Sequence, residues 1–162
     1  MGRMDGRRGA MVDVDRFARH HPDDFQRALA EMEAGRKSSH WMWFIFPQFV
    51  GLGRSATAVE YGISGADEAE AYLRHPVVGR DYATIVAVVW DQVVRKHVGI
   101  TTLMGSPDDL KLVSSLTLFG TVARQTADPR FATLADLCDD ILTIAAEQGF
   151  PRCSVTAAAL TR

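Results

Sequence analysis

The sequence predicts an all-α protein, a single multihelical domain of about seven helices. Apolar residues recur at helical spacing in several segments, which is the main sequence signal for amphipathic helices. The tetrad Ser106-Pro107-Asp108-Asp109 is a helix start signal, with a capping hydroxyl, a first-turn proline and two carboxylates. We find no convincing hairpin dipeptide and no strand–helix alternation around a Gly-rich turn. The pattern therefore favours helices over a sheet.

Length and charge restrict the classes of partner. A chain of 162 residues fits one domain with a substantial core. Its formal net charge of −2 provides no global field that would recruit nucleic acid or an anionic membrane, so nucleic-acid binding is not expected. The apolar runs are far shorter than the ~20 residues that span a bilayer. Two cysteines, Cys138 and Cys153, in a chain without a recognisable secretory signal predict a cytoplasmic location.

The chain divides into one domain and two tails. Residues 1–12 contain arginines but no apolar run, so we expect a disordered tail rather than a signal peptide. Residues 13–149 carry the helical patterns and form the predicted domain. Residues 150–162 follow Gly149 and contain Pro151, and from Arg152 onwards they are small and polar to neutral, so a loosely held C-terminal tail is predicted.

Two helices are predicted at the start of the domain. Asp13 or Asp15 can cap a short first helix, and Pro22 suits the first turn of a second. Gly35 is a natural C-cap for the second helix. One apolar stripe lies along it, formed by Phe25, Leu29 and Met32.

The adjacent histidines His20 and His21 suggest a metal site by residue type, but neighbours on a helix do not face each other. No third ligand follows at the spacing of a zinc-binding helix. We therefore predict solvated loop histidines, no metal site and no cofactor.

The aromatic block at residues 39–48, Ser-His-Trp-Met-Trp-Phe-Ile-Phe-Pro-Gln, is the expected centre of the fold. It holds two of the three Trp and two of the eight Phe residues. Burying these four rings would withdraw on the order of 600–1,000 Å² from water. The block is apolar on all sides, so a short buried helix and a buried extended segment are both open, and Pro47 ends either.

Three helices are predicted after the aromatic block. One runs from the Ser55 cap to Tyr61, and another runs from the Ser64 cap to His75. Between residues 76 and 97 the β-branched content favours a strand, whereas the length and one apolar stripe favour a helix. We predict a long, mostly buried helix. Its stripe consists of Val78, Tyr82, Ile85, Val89 and Val93.

Two further long helices complete the domain. The first follows the Ser106 start signal, after a single turn that ends at Gly105, and the second follows a similar signal at Asp128-Pro129 and stops at Gly149. The stripe of the first consists of Leu112, Leu116, Phe119 and Ala123. The stripe of the second consists of Phe131, Leu134, Cys138, Ile141 and Ala145.

Four blocks carry a resemblance to a known family. They run from Gly35 to Ser55, around the aromatic block, from Tyr61 to Ile63, from Glu68 to Gly79, and from Gly105 to Phe119, around Gly-Ser-Pro-Asp-Asp-Leu-Lys-Leu. With these blocks the chain resembles the bacterial domain-of-unknown-function family 1810, sometimes mislabelled calpastatin. The resemblance spans roughly residues 15–142 and departs from the family pattern beyond Gln148. The resemblance implies a small, mostly helical fold and no established activity.

Candidate site residues come from the polar and aromatic positions of these blocks. Phosphate loops, dinucleotide fingerprints, nucleophile elbows and CxxC motifs are absent from the sequence. His40 and Asp109 are the candidate catalytic residues, because either side chain can transfer a proton. The candidate ligand-binding residues supply cations, stacking faces and neutral hydrogen bonds. They are Arg36, Lys37, Trp41, Trp43, Gln48, Arg54, Ser55, Tyr61, Lys111, Ser114 and Ser115.

Two hypotheses of function follow. In the first, a small molecule, nucleotide or ADP-ribose-like, binds between the aromatic block and the helix of Asp109 to Ser115, with hydrolase activity as the enzymatic version. In the second, the protein is a non-enzymatic interaction module or a homodimer that uses the aromatic block. Each candidate also has a structural interpretation. Asp109 can be a first-turn helix carboxylate, and Trp41 and Trp43 can be core residues.

Overall fold

A computed structural model describes residues 13–19 and 21–161 of the chain. Within these ranges the protein is helical, without a β-strand, and the predicted all-α class is confirmed. The predictions for residues 1–12 and for His20 concern positions outside the described residues. The α-helices are α1 (Asp15–Ala18), α2 (His21–Glu33), α3 (Met42–Ile45), α4 (Ala56–Glu60), α5 (Ala66–Arg74), α6 (Val78–Trp90), α7 (Ile100–Met104), α8 (Asp108–Gln125), α9 (Ala132–Glu147) and α10 (Ser154–Leu160).

The helix count is a correction. The described residues form ten α-helices rather than about seven. The additional helices include α3 and α10, the latter within the predicted tail. Helices of one or two turns present too few residues for a periodic pattern, so sequence periodicity does not detect them reliably.

The core is built around α8. Every residue from Leu112 to Gly120 is buried. Helices α5, α7, α9 and α10 all pack against α8. Three aromatic rings meet beside it: Tyr72 and Tyr82 lie 5.0 Å and 4.6 Å from Phe119 between ring centroids. Their tilted packing is typical of favourable aromatic pairs. Burial raises the pKa of both tyrosines.

The long helix predicted between residues 76 and 97 is confirmed as α6, extended by a π-helical turn at Asp91–Arg95. The π turn carries Gln92, whose side-chain amide donates to the carbonyls of Met32 and Glu33 at 2.9 and 3.0 Å. It thereby satisfies carbonyls at the end of α2, where helical partners run out. A turn with π geometry was not predicted.

The C-terminal segment, for which the sequence predicts a loosely held tail, contains α10. This helix buries Thr156 and Leu160. The backbone N–H of Cys153 donates to the Thr117 hydroxyl of α8 at 3.2 Å. The segment is rich in alanine and short, so its inward face is weakly marked in the sequence.

Helices α5 and α6 meet at a close approach that only glycine allows. A Cβ placed on Gly79, in the first turn of α6, would lie 2.1 Å from the carbonyl oxygen of Leu73. In the turn between the helices, the Nδ1 of His75 accepts hydrogen bonds from the N–H groups of Val77 and Val78 at 3.1 and 3.3 Å. The turn is thereby fixed at both its backbone and its side chain.

Replacing Gly79 tests this close approach. Gly79→Ala is expected to lower the free energy of unfolding by about 1–3 kcal/mol, because the added methyl group must displace backbone atoms. Urea denaturation followed by circular dichroism measures the change. Gly65→Ala is the matched control, since a Cβ at Gly65 meets nothing within 4 Å. Equal stability of the two variants would contradict the proposed packing.

Candidate functional site

The aromatic block forms the short helix α3 and is partly core. Trp41 and Phe46 are fully buried, whereas Trp43 and Phe44 are partly exposed. Of the two open alternatives, the structure shows a short helix, which extends over Met42–Ile45. The core interpretation therefore holds for Trp41 and only in part for Trp43.

The carboxylate of Glu31, on α2, holds the segment that enters the block. It accepts hydrogen bonds from the backbone of Ser38 at 2.6 Å, from the backbone and hydroxyl of Ser39, and from the indole of Trp41 at 3.0 Å. Burial opposes ionisation of Glu31, but the bonds from Ser39, Ser38 and Trp41 outweigh it and lower its pKa to about 2. Sequence analysis missed Glu31, which lies outside the aromatic motif.

Two predicted cations share one carboxylate. The ammonium of Lys37 lies 2.7 Å from Asp108 Oδ2 and 4.8 Å from the centre of the Trp41 ring. The ammonium of Lys111 lies 3.5 Å from Asp108 Oδ1 and 4.3 Å from the centre of the Trp43 ring. These five residues form what we call the lysine–tryptophan cluster. Because Asp108 opens α8, the cluster fastens the aromatic block to the central helix.

Asp109 lies beside this cluster, but both of its carboxylate oxygens already accept hydrogen bonds from the protein. The residue is 3% exposed. Its Oδ2 accepts from the Thr101 hydroxyl and its Oδ1 from the backbone N–H of Leu110, both at 2.8 Å. The carboxylate thus joins α7 to the start of α8, in line with its structural interpretation. Its catalytic role stays a prediction.

The hydroxyl groups of the two candidate serines of α8 make hydrogen bonds within the protein. Ser115 is completely buried and its hydroxyl pairs with that of Tyr82 at 2.9 Å. Ser114 donates to the carbonyl of Leu110, one turn earlier, at 3.1 Å. Hydroxyls on a buried helix need such partners, and these two have them.

The other candidates are dispersed. Trp43, Gln48 and Tyr61 line a void of about 10 Å³, room for about one water molecule. Ser55 caps α4 by accepting from the N–H of Ala58 at 3.1 Å, as its start signal predicts. Ser55 is exposed, as are the remaining candidates Arg36, His40 and Arg54. The structure therefore brings Lys37, Trp41, Trp43 and Lys111 together, but around ion pairs rather than a ligand-sized cavity.

A ligand-sized cleft lies elsewhere, where the α5–α6 turn meets the 3₁₀ turn Pro129–Phe131 and α9. It encloses about 260 Å³. Its apolar part comes from Leu73, Ala83, Phe131 and Leu134. Its polar rim contains Arg74, His75, Arg80 and Arg130. We call it the arginine cleft.

Carboxylates outside the lining hold the arginines. The Nε of Arg74 lies 3.0 Å from Glu70, and its Nη1 lies 3.2 Å from Asp128. Arg130 Nη2 lies 2.8 Å from Asp128. Hydrogen bonds from Arg130, and then from Arg74, lower the pKa of Asp128. Both guanidinium groups also approach the ring of Phe131, with Cζ to centroid distances of 5.2 and 5.5 Å.

The third arginine of the cleft, Arg80, is hydrogen-bonded to a buried aspartate–histidine pair. Arg80 Nε lies 3.1 Å from Asp81 Oδ1, and Asp81 Oδ2 lies 2.8 Å from the Nε2 of His21. His21 is 2% exposed, and its ring stacks on Phe25 at 5.2 Å. The prediction of a solvated loop histidine is therefore wrong for His21, since α2 begins at this residue and turns its ring inward. The aromatic residue four positions later was the available signal.

Sequence analysis missed the arginine cleft because its basic residues are far apart in the chain. Arg74 and Arg80 fall within or beside one matching stretch, but Arg130 follows 50 positions later and joins them only through tertiary packing. Within residues 13–19 and 21–161, no three His, Cys, Asp or Glu side chains group as metal ligands. In the same ranges no helix has the length and apolar character needed to cross a membrane.

Comparison with known proteins places this all-α chain in a class without an assigned activity. It belongs to the family DUF1810, described as a protein of unknown function, whose sequence profile matches residues 11–140. The chain is similar to the conserved hypothetical protein Rv1873 from Mycobacterium tuberculosis, with 36% sequence identity and a TM-score of 0.75. That similarity covers 93% of this chain and 98% of the other. No curated protein matches it.

The Glu31 network makes a pH-dependent prediction. The pKa of Glu31 falls from its ordinary 4.5 to about 2 on folding, so the unfolded chain binds more protons between these values. Its contribution to stability is present above about pH 4.5 and is lost as the pH falls towards about 2. Glu31→Gln should therefore destabilise the protein at neutral pH, and the difference from wild type should shrink across this window.

Urea denaturation at a series of pH values measures this difference. Glu147→Gln, an exposed position at the end of α9, is the control and should show no such window. A constant difference between Glu31→Gln and wild type down to about pH 3 would refute the role given to this carboxylate.

Proposed function

We propose that this protein binds a small anionic molecule in the arginine cleft. One observation carries the proposal. Among the described residues, the charged side chains that line the cleft are those of three arginines, and the carboxylates paired with them are not part of the lining. Guanidinium groups recognise carboxylates and phosphates through paired hydrogen bonds. The apolar floor beside them can take the uncharged part of a ligand.

The size of the cleft narrows the hypothesis of a nucleotide or ADP-ribose-like ligand. Ligand sites commonly enclose about 300–1,000 Å³, and this one encloses about 260 Å³. Such a volume supports a ligand smaller than ADP-ribose. The ligand class that fits this volume is a molecule with an anionic group and a compact organic body.

Binding is better supported than hydrolysis. His75 is the lining residue best suited to move a proton, but its Nδ1 accepts two backbone hydrogen bonds in the α5–α6 turn. Its Nε2 lies 3.3 Å from Asp15 Oδ1. No described carboxylate belongs to the lining. The hydrolase version, with His40 and Asp109 as its acid–base residues, therefore remains a prediction that these contacts do not favour.

The interaction-module hypothesis also remains a prediction. It requires an exposed aromatic surface, yet Trp41 and Phe46 are buried within the protein's own core. The large hydrophobic residues that are exposed, such as Val59 and Leu110, lie apart in the sequence, and scattered apolar residues are normal on a monomer. Light scattering would test the homodimer directly.

A thermal-shift panel of small phosphates and carboxylates tests the proposed function. A ligand that binds only the folded protein at ~100 times its Kd should stabilise it by roughly 2.7 kcal/mol, which raises the Tm by several degrees. Arg130→Gln should abolish the shift. Arg152→Gln, an exposed arginine paired with Asp139 outside the cleft, should retain it.

Two results would contradict the proposal. One is a panel in which no anion raises the Tm of the wild type. The other is a shift that survives in both Arg130→Gln and Arg74→Gln, because the ligand would then bind outside the arginine cleft.

A further inference from the structure

Arg80 is the arginine of the cleft with the most uncommitted nitrogens, and it is as open as Arg130. Its side chain is 68% exposed. Among the described residues, its hydrogen bond is made by Nε to Asp81, and neither η nitrogen has a protein partner. A guanidinium held through Nε keeps its two η nitrogens as a fork for a ligand.

The support beneath Arg80 is itself fixed. Asp81 accepts from His21 through its second oxygen, and the side chains of His21 and Asp81 are 3% and 11% exposed. An ionised carboxylate only accepts, so the Nε2 of His21 carries the proton. His21 Nδ1 is buried and has no hydrogen-bond partner among residues 13–19 and 21–161. The chain Arg80–Asp81–His21 therefore orients the exposed guanidinium from the core.

The other two arginines also keep donors for a ligand. Arg74 uses Nε and Nη1 on its carboxylate partners, and Arg130 uses Nε and Nη2. Within the described chain, Nη2 of Arg74 and Nη1 of Arg130 make no hydrogen bond to protein. The cleft thus presents three guanidinium groups, each with at least one uncommitted η nitrogen.

Three guanidinium groups match a phosphate monoester better than a carboxylate. A carboxylate brings two oxygens and one negative charge, whereas a phosphate monoester brings three terminal oxygens and about −1.5 to −2 charges at pH 7. Each hydrogen bond between a guanidinium and a charged oxygen is of the strong class. A third arginine therefore adds more to a phosphate than to a carboxylate.

We infer that the ligand of the arginine cleft is a phosphate monoester with a compact apolar or aromatic body, and that Arg80 is the residue that selects phosphate over carboxylate. This inference rests on the proposed function of the same cleft. The body of the ligand packs on Phe131 and Leu134, while the phosphate meets Arg74, Arg80 and Arg130. Asp81 and His21 act as positioning residues for Arg80.

Phenyl phosphate and benzoate test the inference, because they share a ring and differ in the anion. Isothermal titration at about pH 7.5 should show phenyl phosphate binding about 10- to 100-fold more tightly, the range of one charged hydrogen bond. Arg80→Gln should lower this ratio towards one, because it weakens the binding of phenyl phosphate more than that of benzoate. Arg152→Gln should preserve the ratio.

Two further variants separate selection from folding. Arg80→Lys keeps the charge but loses the fork, so its ratio should fall between those of wild type and Arg80→Gln. Asp81→Asn should reduce the ratio without a comparable loss of benzoate affinity, because it loosens the support of Arg80. Circular dichroism checks that each variant is folded.

The pH dependence gives an independent measurement. Between about pH 5 and pH 7.5 a phosphate monoester gains its second charge, with a second pKa of about 6, whereas benzoate stays a monoanion. The ratio should therefore rise with pH in the wild type and rise less steeply in Arg80→Gln, in which only Arg74 and Arg130 meet the added charge. His75 lies on the same rim in both complexes, so the ratio of the two affinities, rather than either affinity alone, is the quantity to measure.

The outcomes distinguish this inference from the proposed function. Equal affinities for the two ligands in the wild type, or an undiminished ratio in Arg80→Gln, would overturn the inference and leave an anion-binding cleft. Failure of both ligands to bind would overturn the inference, and the proposed function would fall with it only if the wider anion panel also produced no thermal shift.

Discussion

The burial of the middle of α8, from Leu112 to Gly120, is the constraint on which the rest of the structure depends. A helical segment that is buried throughout must satisfy every polar group without water, since an unpaired buried hydroxyl costs about 1–3 kcal/mol. Ser114 and Thr117 do so by donating to carbonyls four residues earlier, and Ser115 pairs with Tyr82 on α6. That last bond ties the central helix to α6, the same helix whose first turn carries Arg80. The core thus sets the position of the cleft.

The first turn of α8 connects the buried helix to the aromatic block. Asp108 and Asp109 are adjacent, yet one faces Lys37 and Lys111 and the other faces Thr101. Both would favour the positive end of the helix by charge alone. Here they also connect α8 to the aromatic block and to α7, so a feature that the sequence shows as a helix start becomes a junction of three segments.

How far the sequence predicts the fold depends on the length of each element. Periodic patterns identify α2, α6, α8 and α9, but not one-turn helices such as α3, whose residues are apolar on every side. The candidate site was harder to predict, because Ser115 on a buried helix and a ligand-binding serine look alike in a sequence. Arg74, Arg80 and Arg130 carry no shared motif, and only the packing of α9 against α6 and α8 brings the third beside the other two.

The lysine–tryptophan cluster and the arginine cleft both contain ion pairs, but they differ in the exposure of their basic side chains. The side chain of Lys37 is 7% exposed and its ammonium is enclosed by Asp108, the Ser39 carbonyl and the Trp41 ring. A ligand could reach that charge only by breaking these contacts, which costs more than a surface pair returns. The side chain of Arg80 is 68% exposed, and its carboxylate partner approaches from the side of the core. A ligand anion can add to this pair without replacing Asp81, so the charge of Arg80 remains available for recognition.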